Sequence, residues 1–167
     1  MGFKHVFKAK LDWLFSKKEA STYTKSHTVT IDGQAVLHVS AAKAFKGDPA
    51  LYNPEDLILS SVVSCHMMSY LYVCKQNDID VVSYTDEAEA TLEVSADGSG
   101  RFIAIKLNPK VGRTNKEKIA EALSLHKKAN QLCFIANSCT FPIFQFSIFQ
   151  LVKLKIAIKS IGLLLKK

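Results

Sequence analysis

Polar and apolar positions along the chain alternate in some stretches and follow helical spacing in others. His5 to Phe15 alternates loosely and ends in an aromatic pair, Trp13 and Phe15, which predicts a strand. Ser26–Ile31 and Gln34–Ser40 alternate on either side of Asp32-Gly33, a strong hairpin signal. Ala41–Tyr52 carries Gly47 and Pro49 and reads as a loop. A helix then begins sharply. Asn53 can cap it, Pro54 suits its first position, and Glu55 and Asp56 complement its dipole. It runs to about Gln76 and is apolar nearly all round, which predicts burial. Ile79–Val94 is β-rich, and Val81–Val94 reads as one long strand. After the Asp97-Gly98-Ser99-Gly100 turn, Arg101–Leu107 closes a hairpin with it. Thr114–Cys133 is a second helix, with Thr114 and Glu117 placed as a capping box. Cys139–Ile148 is a strand in which Pro142 favours an edge. Helices and strands do not alternate one for one, so the order predicts an α+β domain with an antiparallel sheet.

Composition narrows the class. At 167 residues with 48% hydrophobic and 22% charged positions, the chain is long and apolar enough for one globular domain. Four cysteines are too few for a disulfide scaffold. No apolar run approaches 18 residues, so no ordinary membrane-spanning helix is expected. The N-terminus mixes Lys and Asp into its apolar residues and lacks a signal-peptide stretch. A reducing cytoplasm is therefore the expected compartment, with thiols that are free, catalytic or metal-bound.

The net charge of +7 belongs largely to the end of the chain. Residues 144–167 hold five lysines and no acid, and removing them leaves +2. With only Arg101 and Arg113 as arginines, no nucleic-acid partner is expected. The domain is placed at 1–143. The tail alternates Val152, Leu154, Ile156 and Ile158 with lysines. It reads as an added edge strand or a poorly ordered terminus. A basic membrane-surface segment and a non-native C-terminus are the other readings, and membrane contact through the tail is not expected.

Cys65 lies in the middle of the first helix and Cys133 near the end of the second, with Cys74 and Cys139 nearby. There is no CxxC. His66 follows Cys65 but points to another face, whereas His126 and Cys133 share one. No spacing supports a zinc site, so no metal is expected. A free cysteine is ordinarily a buried, inert hydrophobe, and taken singly none of the four points to chemistry.

Taken together, two motifs do. NPEDLILSSVVSC, with Cys65 ten residues after Glu55 and then Met67-Met68, resembles the OsmC/Ohr family. So does LHKKANQLCFIANSCTFP, which looks like the family's second cysteine helix. The element order agrees over residues 5–143. The resemblance implies an intertwined homodimer, with sheets wrapped around two central helices. It also implies thiol-dependent reduction of organic hydroperoxides with no cofactor. Cys65 would be the peroxidatic thiolate and Cys133 the resolving thiol, with an external dithiol as reductant. Cys139, six residues after Cys133, is an alternative resolver, and His126 and Asn130 share the cysteine face. Family peroxidases hold an arginine with the glutamate to lower the cysteine pKa. Neither arginine here precedes the helix, and Lys46 in Phe45-Lys46-Gly47-Asp48 is the candidate replacement. Lysine supplies charge without the planar fork. That departure keeps a second class open, a non-peroxidatic relative binding a hydrophobic small molecule in the dimer cleft. Glu55 and Cys65 stand roughly 15 Å apart along one helix. A glutamate serving the cysteine would come from the partner subunit.

Overall fold

The computed structural model describes residues 2–16, 24–113, 117–145 and 148–150. The chain forms two compact units, Met1–Val62 and Val63–Lys167.

The first unit holds an antiparallel sheet of β1 (Lys10–Asp12), β2 (His27–Thr30) and β3 (Leu37–Val39). The hairpin expected around Asp32-Gly33 forms. Gly33 takes the left-handed conformation (φ 73°), and Gln34 N donates to Ile31 O at 3.0 Å. The first strand is shorter than its pattern, three residues where His5–Phe15 alternates, because β2 offers only Thr28–Thr30 to pair with it. A single 3-10 turn, Lys43–Phe45, follows and is closed by Lys46 in the left-handed region (φ 60°). Ser40 pins the loop: its buried Oγ accepts from Asp48 N at 3.0 Å, and its backbone N donates to Tyr52 O at 2.8 Å. At Gly47 an added Cβ would sit 1.6 Å from Ala41 O, so only glycine lets the loop fold back here.

Helix α1 (Pro54–Gln76) starts and stops where the sequence predicts. Asn53 Oδ1 accepts from Asp56 N at 2.9 Å, a side-chain N-cap. The C-terminus closes as a Schellman motif. Ile79 N donates to Cys74 O (3.0 Å) and Asp78 N to Lys75 O (3.4 Å), with Asp78 left-handed at φ 53°. Ile79 then packs beside Cys74 in the core.

The second unit is built on a long, bent hairpin. Its strands are β4 (Val81–Asp86), β5 (Glu89–Val94), β6 (Gly100–Leu107) and β7 (Pro109–Arg113). β5 pairs β6 and β4 pairs β7, both antiparallel, in separate sheets. The single strand expected over 81–94 is thus two. The break comes from the opposite arm, where Asn108 N donates to Asp86 Oδ1 (2.7 Å) and Asn108 Nδ2 to Glu87 O (2.8 Å). These bonds replace ladder pairing at the bend.

Helix α2 (Ile119–Leu132) begins five residues later than expected. Thr114 lies outside the described residues, and Glu117 precedes the helix, so Lys118 takes the N-cap position without a side-chain cap. After α2 comes α3 (Phe134–Asn137), a one-turn helix capped by Cys133, and the strand expected from Cys139 begins only at Ile143. β8 (Ile143–Gln145) then joins β6, and β9 (Ile148–Gln150) joins β7, both in parallel. The architecture is α+β with antiparallel hairpins, to which these two strands add parallel edges. The alternating tail beyond residue 150 lies outside the described residues.

The core of this unit is the α1–α2 interface over β4 and β7. Ala122, His126, Ala129 and Cys133 form a buried stripe on α2, facing His66, Tyr70, Val73 and Cys74 on α1. The spacing of four, three and four residues is that of one helix face. Two alanines let the helices approach, and Tyr70 OH donates to Ala122 O at 3.2 Å. The expectation of a wholly buried α1 fails within one chain. Met68 (57%), Leu71 (37%) and Tyr72 (58%) leave an exposed apolar stripe on its other side. Contrary to expectation, the 23-residue α1 is long and apolar enough to span a bilayer by length and composition. Within this chain 28% of its most apolar 18-residue stretch is buried.

Candidate functional site

Two cysteines meet at the far end of this interface. Cys65 projects from the middle of α1, and Cys133 closes α2 and caps α3, where its Sγ accepts from Ala136 N at 3.4 Å. The Cys65 thiol lies near enough to Cys133 to shift its titration. Both are reduced. Burial, first, and then the Cys65 thiol push the Cys133 pKa up to about 11. Cys133 is completely buried, whereas Cys65 is partly exposed.

Cys65 opens onto an apolar cavity of about 490 Å³, lined also by Met68, Ser69, Tyr72, Leu132 and Phe134. These positions follow from helical spacing, since residues 65, 68, 69 and 72 share one face of α1. Phe134, which α3 presents, is 81% exposed and forms an outer wall. A thiol at the wall of an apolar hollow, with a second thiol close by, suits attack on an apolar electrophile followed by disulfide closure.

Of the other expected site residues, Cys139 is not part of this pair. Its Sγ donates to Ile135 O at 3.3 Å. Glu55 stands in the first turn of α1, with Oε2 buried and without a hydrogen-bond partner. Lys46 is exposed on the 3-10 turn. Among the described residues it makes no ion pair with Glu55; the pairs present are Lys10–Asp12 and Lys110–Glu87. The structure thus brings Cys65 near Cys133 but does not pair Lys46 with Glu55. No group of three or more His, Cys, Asp or Glu side chains among the described residues is placed to hold a metal.

A buried histidine pair was missed as a unit. His66 Nε2 and His126 Nδ1 are 3.1 Å apart, and the rings lie within 10° of parallel. Tyr70 stacks on His126 with ring centroids 4.0 Å apart. Burial lowers both imidazole pKa values to about 4, His66 adding to the effect on His126, so both rings are neutral near pH 7. The outer ring nitrogens, His66 Nδ1 and His126 Nε2, are buried without partners, as is Asn130 Oδ1. The available signal was positional. His66 interrupts an apolar helix, and His126 lies in register with Ala122, Ala129 and Cys133.

Comparison with known proteins agrees with this architecture. An OsmC-like protein of unknown function from Vibrio cholerae superposes with a TM-score of 0.78 at 27% identity, over 87% of this chain and all of that one. An organic hydroperoxide resistance protein OsmC from Legionella pneumophila gives 0.66 at 17% identity, over 88% and 98%. An organic hydroperoxide resistance protein from Elizabethkingia anophelis gives 0.65 at 18%, over 91% and 100%. The last two share the fold. No curated protein matches the sequence. Residues 47–144, more than half of the chain, match the model of the OsmC-like protein family, and the chain therefore belongs to that family.

Proposed function

We propose that the protein is a thiol-dependent peroxidase for organic hydroperoxides, with Cys65 peroxidatic and Cys133 resolving. The observation that carries this reading is the nearness of the Cys133 thiol to Cys65, which lines an apolar cavity. The Cys65 thiolate attacks the outer peroxide oxygen, the O–O bond breaks, and an alkoxide leaves to be protonated as the alcohol. Cys65 is left as a sulfenic acid. Cys133 then attacks that sulfur, the S–O bond breaks, and water is released. Two thiols of an external dithiol restore the pair. A reducing cytoplasm supplies such dithiols and is the compartment this reading assigns.

The same reading makes the active species a homodimer. The exposed stripe of Met68, Leu71 and Tyr72 is a surface for a second copy to cover. A glutamate at Cys65 would then be Glu55 of that copy.

Steady-state turnover tests the activity. With a dithiol present, an aryl or long-chain hydroperoxide is expected to give a kcat/KM at least tenfold above that for hydrogen peroxide. That factor is about 1.4 kcal/mol of apolar contact in the cavity. Equal rates for both, or none, contradict the reading. The absence of a Lys46–Glu55 pair favours the second reading, a non-peroxidatic relative that binds a hydrophobic small molecule in the dimer cleft. That protein would bind the hydroperoxide's alcohol and leave the peroxide intact.

A further inference from the structure

The cavity beside Cys65 faces two opposite demands in the course of one turnover. While the pair is reduced it must hold an apolar hydroperoxide. Afterwards it must release the alcohol and admit a dithiol to a disulfide, one of whose sulfurs belongs to the completely buried Cys133. The outer wall that bears on both is Phe134, on α3.

Helix α3 has little of its own to hold it. It is one turn long with no buried residue, and so short a helix is not stable by itself. Cys133 fixes its start. The Cys133 carbonyl accepts from Asn137 N at 3.0 Å, and Sγ accepts from Ala136 N at 3.4 Å. Three side chains brace the rest. Ser138 Oγ donates to Phe134 O (2.9 Å), Cys139 Sγ to Ile135 O (3.3 Å) and Asn137 Nδ2 to Gln131 O (2.8 Å). Of these bonds, the cap alone uses a sulfur of the redox pair.

That sulfur cannot serve both partners equally. Both thiols are free, so their sulfurs stand no closer than van der Waals contact. A disulfide brings them to about 2.05 Å and sets the Cβ–S–S–Cβ dihedral near ~90°. One sulfur therefore has to move. Cys65 is fixed in the middle of the 23-residue α1, whereas Cys133 occupies the extended joint between α2 and α3 (φ −75°, ψ 105°). The joint is the part that turns, and Phe134 is its next residue. Once bonded, the Cys133 sulfur also loses the ability to ionise, which leaves it a weaker acceptor for a helix N–H.

We propose that Cys133 is a redox-released clasp. Its free sulfur caps α3 and holds Phe134 at the cavity wall; closure of the Cys65–Cys133 disulfide withdraws the cap, unwinds α3 and opens the wall to the leaving alcohol and the incoming dithiol. In the oxidation the two thiols give up two hydrogens in all, and the hydroperoxide takes them to become alcohol and water. The dithiol returns two hydrogens, and the freed sulfur caps α3 again. The purpose of the clasp rests on the peroxidase reading, but its working needs only the disulfide.

Amide hydrogen exchange in the full chain tests it, with the pair reduced and then oxidised by diamide, which accepts the two hydrogens without any peroxide. Oxidation is expected to speed exchange of the Ala136–Cys139 amides roughly tenfold, leaving α2 little changed, and dithiothreitol should reverse it. Two variants isolate the cap in the reduced state. Cys133→Ser keeps an oxygen acceptor and should protect α3 as the wild type does. Cys133→Ala removes the acceptor and should exchange as fast as the oxidised wild type. The alcohol 2-phenyl-2-propanol should bind the serine variant roughly threefold more tightly than the alanine variant, since only the former holds Phe134 in place. Unchanged α3 exchange on oxidation, no disulfide with diamide, or equal protection and equal alcohol binding in the two variants would overturn the clasp. The redox comparison needs no variant, so it decides even where Cys133→Ala does not fold. A disulfide that diamide forms and cumene hydroperoxide does not would contradict the peroxidase reading, while faster α3 exchange in that same oxidised chain would still support the clasp.

Discussion

Lowering the pH from 7 to 4 is expected to destabilise the folded chain by about 3 kcal/mol for each histidine of the buried pair. In an unfolded chain both imidazoles titrate near 6.5; in the folded chain they titrate at about 4. At pH 7 neither state holds the protons, and the pair carries no penalty. As the pH falls below 6.5 the unfolded chain takes up two protons that the folded chain refuses. Stability present above 6.5 is therefore lost progressively, until the folded rings themselves titrate near 4. The carboxyl of Asp86 works in the opposite direction. Burial raises its pKa, so it favours the folded state as the pH falls, but it is one group against two. Urea unfolding at intervals between pH 7 and 4.5 measures the slope. His66→Gln removes one titrating ring and should roughly halve it. A midpoint that does not move above pH 5 would show that the rings are not buried as a neutral pair.

Tyr70→Ala is expected to cost about 3–5 kcal/mol, the range for emptying a large aromatic site. Tyr70 is completely buried, stacks on His126, meets Tyr84 at 6.0 Å and bonds to the Ala122 carbonyl. Tyr70→Phe keeps the ring and loses only the hydrogen bond, a change of about 1 kcal/mol. The two variants, compared by urea unfolding at pH 7, separate packing from hydrogen bonding. Losses of equal size would mean that the hydroxyl, and not the ring stack, holds α1 to α2.

The parts of this architecture that local chemistry decides were legible in the sequence. The bounds of α1 follow from the Asn53 cap, Pro54 and the Asn77-Asp78 stop, and all act within a few residues. The Asp32-Gly33 turn is equally local. What was not legible is decided by distant partners. The break between β4 and β5 is made by Asn108, on the other arm of the hairpin. The one-turn α3 exists because the Cys133 sulfur caps it, a role that spacing does not show. An all-round apolar α1 implied burial on every face, yet one chain covers only the face that meets α2.

The site divides in the same way. Cys65 and Cys133 were singled out through two motifs that resemble a family, and in the structure the Cys65 thiol is near enough to Cys133 to shift its titration. His66 and His126 were each visible, but as metal or orienting candidates on separate helices. Their bond across 60 positions exists only once α1 and α2 pack. Lys46 was chosen by position in its loop, where the 3-10 turn leaves it exposed.

The central claim is that Cys65 and Cys133 act as one redox pair on an organic hydroperoxide. The most direct measurement is the intact mass of the reduced protein after one equivalent of cumene hydroperoxide, followed by peptide mapping. The account predicts a loss of two hydrogens per chain, a Cys65–Cys133 disulfide, and no reaction in Cys65→Ser. An unchanged mass with all four thiols free, or a disulfide that joins Cys65 to Cys139 instead, would contradict it.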